Sequence, residues 1–264
     1  MFRALLARIQ QKHRTMRYPE EPPVLPDRFL GRPAIDCAKC SCGNETCIRA
    51  CPTDAIRVTN GIEIDLGRCL FCGECAKACT SGAIRFTTEH RLATNQRDTL
   101  HFTGKELQLA TALGEKLRGI LGRSLKLRQV SAGGCNACEA DVNVLNTVGF
   151  DLGRFGIQFV ASPRHADGIL VTGPVTENMR EALKKTYDAV AEPKIVIASG
   201  ACAISGGPYI DHPEAHNGIG TLLPVDLYIP GCPPHPMTIL DGLLRLVGRL
   251  APVDPVPQPA VENG

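Results

Sequence analysis

The chain has 264 residues, a formal net charge of +2 and 21% charged residues, and it contains thirteen cysteines. This length suits two domains of ordinary size. The small net charge excludes the strongly basic class of nucleic-acid-binding proteins, and no stretch approaches the roughly 18–20 apolar residues that cross a bilayer. The N-terminus lacks the apolar core and cleavage site of a signal peptide. We therefore expect a cytoplasmic protein whose clustered cysteines serve metal or redox chemistry.

Residues 1–34 are predicted to form a basic N-terminal helix followed by a proline-rich strap. The first 17 residues carry no acidic side chain. Their apolar side chains recur at helical spacing: Phe2, Leu5, Leu6 and Ile9. Such a segment is typical of an amphipathic helix on a membrane surface or a partner, and equally of a solvated or frayed basic terminus. From Tyr18 to Pro33 frequent proline excludes a regular helix and favours an extended strap over a neighbouring surface.

Residues 35–90 contain a degenerate internal repeat. The segment Cys47–Ile56 (CIRACPTDAI) is echoed by Cys75–Ile84 (CAKACTSGAI), which predicts two copies of one small unit. Between the copies, Asn60-Gly61 separates two short segments of strand character, and this pattern predicts a tight hairpin. The region is therefore predicted to be a small α+β module.

The second copy contains the spacing Cys69-x-x-Cys72-x-x-Cys75-x-x-x-Cys79. This spacing is typical of ferredoxins with two [4Fe-4S] clusters, in which three thiolates bind one cluster and the fourth binds the other. Zinc also binds Cys-x-x-Cys pairs, but a zinc ion takes four ligands and leaves the third cysteine and the first copy unexplained. We therefore predict a ferredoxin-like module with two [4Fe-4S] clusters over residues 35–90.

The first copy has the spacing Cys37-x-x-Cys40-x-Cys42-x4-Cys47-x-x-x-Cys51, with extra residues before the fourth cysteine. The two-cluster pattern assigns one cluster to Cys37, Cys40, Cys47 and Cys79. It assigns the other cluster to Cys51, Cys69, Cys72 and Cys75. Cys42 is then left over, either as a free thiol or as a replacement for Cys40, and Cys40 is favoured because it preserves the Cys-x-x-Cys spacing.

The rest of the chain is predicted to be a linker and an α/β domain. Residues 91–125 lack cysteine, and Glu106–Leu121 places its leucines on one helical face, which predicts a linker helix. Over residues 126–252, predicted strands alternate with predicted helices near Cys138–Val148, Asn178–Ala191 and Pro236–Leu250. The predicted strands are Leu125–Val130, Ile157–Ala161, Gly168–Thr172, Lys194–Ala198 and Asp226–Ile229. This alternation predicts an open parallel sheet of flavodoxin-like type, followed by a proline-rich disordered tail over residues 253–264.

The remaining four cysteines each follow a predicted strand of this domain: Cys135, Cys138, Cys202 and Cys232. Because the carboxyl ends of parallel strands line one crevice, we expect these thiolates to hold a third [4Fe-4S] cluster. Flanking glycines and prolines allow the backbone to approach a cluster and to point N–H groups at its sulfurs. Buried structural cysteines are the alternative, but they would not need flanking glycines. Three clusters require twelve thiolates, which the thirteen cysteines supply with Cys42 in excess.

Residues 126–250 resemble the small, cluster-bearing subunit of group 4 membrane-bound [NiFe] hydrogenases of the formate hydrogenlyase type, and the homologue of that subunit in complex I. The resemblance is carried by Gly134-Cys135-x-x-Cys138-Glu139, Ser162–Asp167, Thr172–Val175, Gly200-Ala-Cys202 and Pro230–Pro234. Residues 18–90 are similar to the two-cluster ferredoxin subunit of the same complexes, from Tyr18-Pro19 through Phe29-x-Gly31-x-Pro33. The complex I homologue has two adjacent cysteines at the first ligand position, so the spacing Cys135-x-x-Cys138 resembles the hydrogenase form.

The resemblance implies an oxidoreductase subunit that relays electrons through three [4Fe-4S] clusters to or from the [NiFe] centre of a separate large subunit. It implies membrane subunits and an upstream electron-donor protein as partners, no nucleic acid, and a peripheral location on the cytoplasmic face of the membrane. No cysteine pair here is of the sort that ligates nickel, so the catalytic metal is expected on the partner.

Two other functions stay open: a complex-I-like or hydrogenase-related ion-pumping oxidoreductase without nickel, and a free soluble electron carrier. A free carrier predicts a stable monomer, whereas a broad apolar face on the α/β domain would indicate an obligate partner.

Several polar residues are weaker candidates. Glu139 is expected either to assist proton movement at the large-subunit interface, as in related small subunits, or to be a helix-start carboxylate favoured by the dipole. Arg164, His165 and Asp167 are expected to orient that interface, to hydrogen-bond near the cluster, or equally to form a salt-bridged turn. The remaining histidine candidates are interpreted as solvated or structural: His212, His216 and His235.

Overall fold

The computed structural model describes residues 2–12, 14–40, 45–59, 61–114 and 124–250. Its helices are α1 (Phe2–Gln11), α2 (Thr46–Arg49), α3 (Glu74–Ala78), α4 (Ala137–Val144), α5 (Glu177–Asp188), α6 (Ala201–Ser205) and α7 (Pro236–Leu246). Its strands are β1 (Pro33–Ile35), β2 (Ile56–Val58), β3 (Ile62–Asp65), β4 (Ile84–Phe86), β5 (His101–Phe102), β6 (Leu125–Ser131), β7 (Ile157–Phe159), β8 (Gly168–Thr172), β9 (Ile195–Ser199) and β10 (Leu227–Ile229). We call residues 33–102 the cysteine-repeat module and residues 125–250 the α/β domain.

The internal repeat folds as two copies of one short helix and one strand. Helix α2 carries Cys47 and precedes β2, and α3 carries Cys75 and precedes β4. Strands β2 and β3 pair as an antiparallel hairpin with Val58 opposite Ile62, which confirms the predicted hairpin, although Asn60 itself lies outside the described residues. Strand β5 extends this hairpin to three strands, whereas β4 pairs with β1.

The sheet of the α/β domain is parallel throughout, in the order β10-β9-β8-β6-β7. Counted along this domain, the order is 2-1-3-4-5, which is the flavodoxin-like order. The predicted open parallel sheet is therefore confirmed. Each of the five predicted strands and three predicted helices is present, with its ends shifted by no more than four residues.

Both faces of the parallel sheet are covered, and every residue of β8 and β9 is buried. On one face Leu170 and Ile197 pack in a cluster with residues of α4 and α7. On the other face Ile169 and Val196 belong to the same apolar cluster as Leu66 of the cysteine-repeat module. The two parts of the chain therefore share a core, and this core fixes their relative position.

The linker helix predicted over Glu106–Leu121 is wrong where the structure describes it. Residues 106–113 are not helical. The backbone N–H of Ala110 donates to the Ala93 carbonyl at 2.7 Å, and that of Thr111 donates to Asn95 Oδ1 at 2.7 Å. These tertiary bonds replace the local bonds of a helix, so the apolar pattern reflects burial against residues 93–95. Residues 115–123 lie outside the described part of the chain.

The proline-rich strap contacts both parts of the chain. Met16 N–H donates to the Gly149 carbonyl at 2.8 Å, and Tyr18 Oη donates to Asp241 Oδ1 at 2.9 Å, so the strap is bound to the α/β domain. Gly31 N–H donates to a carbonyl just after β4, at Thr87. The predicted disordered tail over residues 253–264 lies outside the described residues.

Within the described ranges, no helix has both the length and the apolar character needed to cross a bilayer.

A close contact joins the segment before Cys69 to helix α6. Ser205 Oγ at the end of α6 donates to the Gly67 carbonyl at 3.0 Å, and both groups are buried. A Cβ atom at Gly67 would lie 2.7 Å from Ile204 Cγ2 and 2.9 Å from Arg97 Cζ. Only glycine therefore fits between the cysteine-repeat module and α6 without displacing one of them.

We expect Gly67→Ala to destabilise this junction by about 1–3 kcal/mol, because overpacking in a tight contact costs that much. The measurement is the denaturant midpoint of the metal-loaded protein. Gly149→Ala is a matched control, since a Cβ there would meet nothing within 4 Å. Equal midpoints for the two variants would contradict the packing argument.

Candidate functional site

One group of cysteines lines a cavity inside the cysteine-repeat module. The cavity is bordered by Cys51 from the first copy and by Cys69, Cys72 and Cys75 from the second. Two of these sulfurs accept backbone hydrogen bonds: Ala55 N–H donates to Cys51 Sγ at 3.2 Å, and Phe71 N–H donates to Cys69 Sγ at 3.3 Å. Such N–H···S bonds are typical of iron–sulfur sites, where they tune the reduction potential.

Burial and mutual proximity raise the pKa of thiols in this group. Burial raises the pKa of Cys69 most, and the negative charges of Cys75, Cys51 and Cys72 raise it further. Burial likewise raises the pKa of Cys75 to about 12, with additional contributions from Cys51 and Cys72. Because Cys69 and Cys75 both respond to the charges of Cys51 and Cys72, and all four border one cavity, the four sulfurs are close neighbours. Buried thiolates so close together need a cation to compensate their charge.

A second group lies at the other end of the same module. Cys40, Cys47 and Cys79 border a common cavity, together with Ile62. Cys37 lies at the same end, because a Cβ atom at Gly61 would be 3.5 Å from Cys37 Sγ. Cys47 belongs to the first copy of the repeat and Cys79 to the second. The two-cluster pattern expects one ligand of each cluster to come from the other copy in this way. Cys42 lies outside the described residues.

Local hydrogen bonds make Cys79 an unusual thiol. Burial raises its pKa, but hydrogen bonds from the Ser81 side chain and from the backbone N–H groups of residues 81, 83 and 84 outweigh burial, so the pKa of Cys79 lies below its ordinary value. Ser81 Oγ is 3.5 Å from Cys79 Sγ. By contrast, burial raises the pKa of Cys47. The backbone after α3 is therefore arranged to stabilise a thiolate at Cys79.

The third group lies at the carboxyl edge of the parallel sheet. Cys135 and Cys138 follow β6, Cys202 lies on α6 directly after β9, and Cys232 follows β10. Burial raises the pKa of Cys138 most, and the charges of Cys202, Cys232 and Cys135 raise it further. The pKa of Cys202 is raised to about 12 by burial and by Cys232 and Cys135. The structure thus brings together the four thiols that the sequence places on three separate segments.

Glycine allows the close approach of these segments. Gly200 has φ +93°, and a Cβ atom there would lie 2.7 Å from Cys138 Sγ. Gly200 N–H donates to the Ile229 carbonyl and Ala201 N–H donates to the Gly231 carbonyl, each at 2.8 Å. These bonds join the ends of β9 and β10, so the loops that carry Cys202 and Cys232 are held side by side.

Glu139 is buried beside the third group. Its side chain is in the first turn of α4, and Thr172 Oγ1 at the end of β8 donates to Glu139 Oε1 at 2.6 Å. The charge of Glu139 also contributes to the raised pKa values of Cys138 and Cys202. The position of Glu139 in the first turn of a helix agrees with a structural role. Its position next to the cysteines agrees equally with a role in proton movement.

Other candidate residues do not join a cysteine group. Asp167 lies at the amino end of β8, on the edge of the sheet opposite the cysteines, where it accepts from Lys126 N–H at 2.7 Å. The expected hydrogen bond near the cluster is therefore wrong for Asp167. Arg164 and His165 precede it in a short turn, and the roles expected of them stay predictions. His216 Nε2 bonds Glu177 Oε2 at 2.8 Å, and His235 caps α7, so both are structural.

Two features that join the second and third groups were not predicted. The charge of Cys72 in the module raises the pKa of Cys232 in the α/β domain, after the larger effects of burial and Cys135. The bond between Ser205 and Gly67 joins the helix of Cys202 to the segment before Cys69. No local pattern could have shown either feature, since both partners in each case are far apart in the chain.

The donor set fits iron–sulfur clusters. Thiolates are the ligands of [4Fe-4S] clusters, and each cluster takes four of them on four different irons. Among residues 2–12, 14–40, 45–59, 61–114 and 124–250, no three His, Cys, Asp or Glu side chains converge closely enough to hold one metal ion. The ligands of a cluster stand further apart than those of a single zinc ion, whose Zn–S distance is about 2.3 Å.

Comparisons with known proteins match the cysteine-repeat module and the α/β domain to different families. Residues 135–246 match the family described as NADH ubiquinone oxidoreductase, 20 Kd subunit, and residues 62–85 match the 4Fe-4S binding domain. The probable membrane-bound hydrogenase subunit mbhJ of Pyrococcus furiosus is 42% identical over 131 residues, which cover 50% of this chain and 78% of that protein. The chain belongs to the NADH ubiquinone oxidoreductase 20 Kd subunit family.

Other relatives include subunits of both kinds of complex, the complex I type and the hydrogenase type. A subunit of the NADH-quinone oxidoreductase of Clostridium beijerinckii is 47% identical over 118 residues, covering 44% of this chain and 70% of that protein. Formate hydrogenlyase subunit 7 of Escherichia coli is 44% identical over 128 residues, covering 48% of this chain and 50% of that protein. The chain is thus an iron–sulfur electron-transfer subunit of the hydrogenase and complex I-like class of oxidoreductases.

We expect Cys138→Ser to lower the iron content by about four atoms per chain, because serine removes one ligand of the third group. Iron and acid-labile sulfide are measured after anaerobic purification. Cys42→Ser is the matched control, since Cys42 is the cysteine in excess of the twelve proposed ligands. An unchanged iron content in Cys138→Ser would contradict the assignment, and a loss in Cys42→Ser without a loss in Cys40→Ser would exchange the roles of these two residues.

Proposed function

We propose that this chain relays electrons through three [4Fe-4S] clusters to or from the [NiFe] centre of a partner large subunit in a membrane-associated hydrogenase complex. The proposed ligands are Cys37, Cys40, Cys47 and Cys79 for the first cluster, Cys51, Cys69, Cys72 and Cys75 for the second, and Cys135, Cys138, Cys202 and Cys232 for the third. The complex would include membrane subunits and an upstream electron-donor protein, with this chain peripheral on the cytoplasmic face.

The observation that carries this proposal is the serial proximity of the three cysteine groups. Cys47 of the first group packs in one apolar cluster with Cys69 and Cys75 of the second. The buried bond from Ser205 to Gly67 joins the helix that carries Cys202 of the third group to the segment before Cys69 of the second. When bound, [4Fe-4S] clusters supply one-electron transfer at potentials set by their surroundings. The protein's contribution is to hold the three ligand sets in the order first, second, third.

The exposed edge of the third group supports a partner at that end. Cys135 and Cys232 are exposed, whereas Cys138 and Cys202 are partly buried. A partner can therefore cover this edge, and by excluding solvent it would tune the reduction potential of a cluster bound there.

The partner surface is not the broad apolar face that would indicate an obligate partner. In the described α/β domain the exposed large apolar side chains are Val148 and Tyr209. An interface built on this domain is therefore mainly polar, as many interfaces are.

The hydrogenase function is favoured over the alternative by the spacing Cys135-x-x-Cys138, which separates the first two ligands of the third group. The relatives from Pyrococcus furiosus and Escherichia coli are named as hydrogenase and formate hydrogenlyase subunits. The alternative is a complex-I-like oxidoreductase without nickel, which the similarity to the NADH-quinone oxidoreductase of Clostridium beijerinckii supports. A free soluble carrier is disfavoured because these relatives are all named as subunits.

We expect the complex purified anaerobically with its neighbouring subunits to contain nickel, about twelve iron atoms in the three clusters of this chain, and further iron in the [NiFe] centre and the neighbouring subunits. It should reduce a viologen dye with hydrogen. Nickel is measured by elemental analysis of the intact complex. A complex that holds the iron but lacks nickel and reduces quinone instead would replace the leading proposal with the complex-I-like alternative.

We also propose that Glu139 moves protons at the interface with the large subunit. Its buried carboxylate is held by Thr172 beside Cys138, where a proton could be taken up as an electron arrives. We expect Glu139→Gln to slow hydrogen-dependent dye reduction at least tenfold, a typical loss for a proton-transfer group. Iron content and the reduced-cluster EPR spectrum should stay unchanged.

Thr172→Val is the matched control for Glu139→Gln, since it removes the hydrogen bond but leaves the carboxylate. We expect it to retain most of the activity. If Glu139→Gln keeps full turnover, or loses iron together with activity, Glu139 is a helix-start carboxylate with a structural role.

A further inference from the structure

Helix α1 presents an uncovered apolar stripe. None of its residues is buried. The large apolar side chains have exposed fractions of 74% at Phe2, 61% at Leu5, 43% at Leu6 and 66% at Ile9. Their spacing of i, i+3, i+4 and i+7 places all four on one face of the helix. In the described part of the chain the other exposed large apolar residues are well separated along the sequence, which is normal for a protein surface.

Positive charge borders this stripe on both sides. At about 100° per residue, Arg3 and Arg8 fall on opposite flanks of the apolar face. Arginine can lay its apolar stem beside such a face while its guanidinium reaches a polar layer. The first 17 residues contain no acidic side chain, and further basic residues follow the helix. The charge pattern is complementary to a negatively charged, flat surface.

The dimensions of α1 also decide how it can bind such a surface. Its ten residues span about 15 Å, which is half of the roughly 30 Å of a bilayer's hydrocarbon core. The helix cannot cross a membrane, but it can lie in the headgroup layer with its apolar stripe turned toward the acyl chains. A protein groove would also accept the apolar stripe, but it would need acidic groups along both rims to match the arginines.

The segment that follows α1 is attached to the α/β domain. Lys12 has φ +54°, which ends the helix, and Met16 N–H donates to the Gly149 carbonyl at 2.8 Å. Val148, next to Gly149, is 68% exposed. The chain that leads to the helix is therefore fixed next to a further exposed apolar side chain on the body of the protein.

We infer that α1 docks this chain on an anionic lipid surface, with Phe2, Leu5, Leu6 and Ile9 inserted between headgroups and Arg3 and Arg8 paired with lipid phosphates. The inference rests on the membrane-associated role proposed above and adds its physical means. Anionic lipid is required because the attraction of basic residues to such a surface supplements an apolar stripe that is too small to bind firmly by itself.

The test is co-sedimentation of the full-length, metal-loaded protein with vesicles of phosphatidylcholine alone or mixed with phosphatidylglycerol. We expect binding to the mixed vesicles, weaker binding at high salt because screening shortens the reach of the charges, and about fivefold weaker binding for each arginine removed in Arg3→Gln and Arg8→Gln. The double variant Leu5→Ser, Ile9→Ser should bind roughly tenfold more weakly or worse.

The matched control is Ala4→Ser, Ala7→Ser, which makes equally polar changes on the opposite face of α1 and should bind like the parent. The visible absorption of the bound clusters reports folding in every variant, since α1 lies outside both cores. Absence of binding to anionic vesicles, equal binding by all variants, or retention on a partner protein through α1 in lipid-free solution would overturn the inference. Any of these results would leave the electron-relay proposal intact, because vesicle binding is measured without hydrogen or dye.

Discussion

Parallel strands that end at one edge of a sheet are the constraint on which the third cysteine group depends. The segments that carry Cys135, Cys202 and Cys232 are separated by 67 and 30 residues in sequence. They meet because β6, β9 and β10 point the same way, and their carboxyl ends therefore open on the same crevice. Gly200 then lets the backbone approach Cys138 Sγ more closely than any side chain would permit. The four thiols are gathered because the strands run in the same direction and because Gly200 has no Cβ atom.

The same constraint explains the electrostatic state of the cysteines. Gathering thiols in a partly buried pocket raises the pKa of Cys138 and Cys202, first through burial and then through their mutual charges. A protein without metal would hold these sulfurs protonated, whereas iron binds the thiolate and releases the proton. Binding of the proposed third cluster would therefore be coupled to the fold: the pocket that disfavours free thiolates would be stabilised when iron compensates their charge.

A relay also requires that its parts keep fixed separations, and here the two parts of the chain share one apolar core. The bond from Ser205 to Gly67 adds a polar contact at the point where the segments of Cys202 and Cys69 approach each other. This arrangement differs from two domains joined by a mobile linker, because the module and the sheet cannot separate without exposing buried apolar residues. The strap reinforces it through Met16 and Tyr18.

Local patterns in the sequence determined the elements and most of the chemistry. The Cys-x-x-Cys spacings, the internal repeat and the alternation of strands with helices depend on residues near one another in the chain, and so the hairpin at Gly61 and the five strands of the sheet could be predicted. Patterns of this kind fail where a distant partner replaces a local one. Leu107 and Ala110 have helical spacing, but the hydrogen bonds from Ala110 to Ala93 and from Thr111 to Asn95 hold this segment in a non-helical conformation.

Tertiary structure alone decided which groups lie side by side. Asp167 stands on the edge of the sheet opposite the cysteines because it precedes β8 rather than follows it, and Cys72 lies near Cys232 because the module packs on one face of the sheet. The first outcome follows from the strand predicted over Gly168–Thr172, whereas nothing local to Cys72 or Cys232 encodes the second. The sequence by itself thus specified which cysteines are the proposed ligands. The packing of the module on the sheet decided how the three cysteine groups lie relative to one another, because that arrangement depends on contacts between residues far apart in the chain.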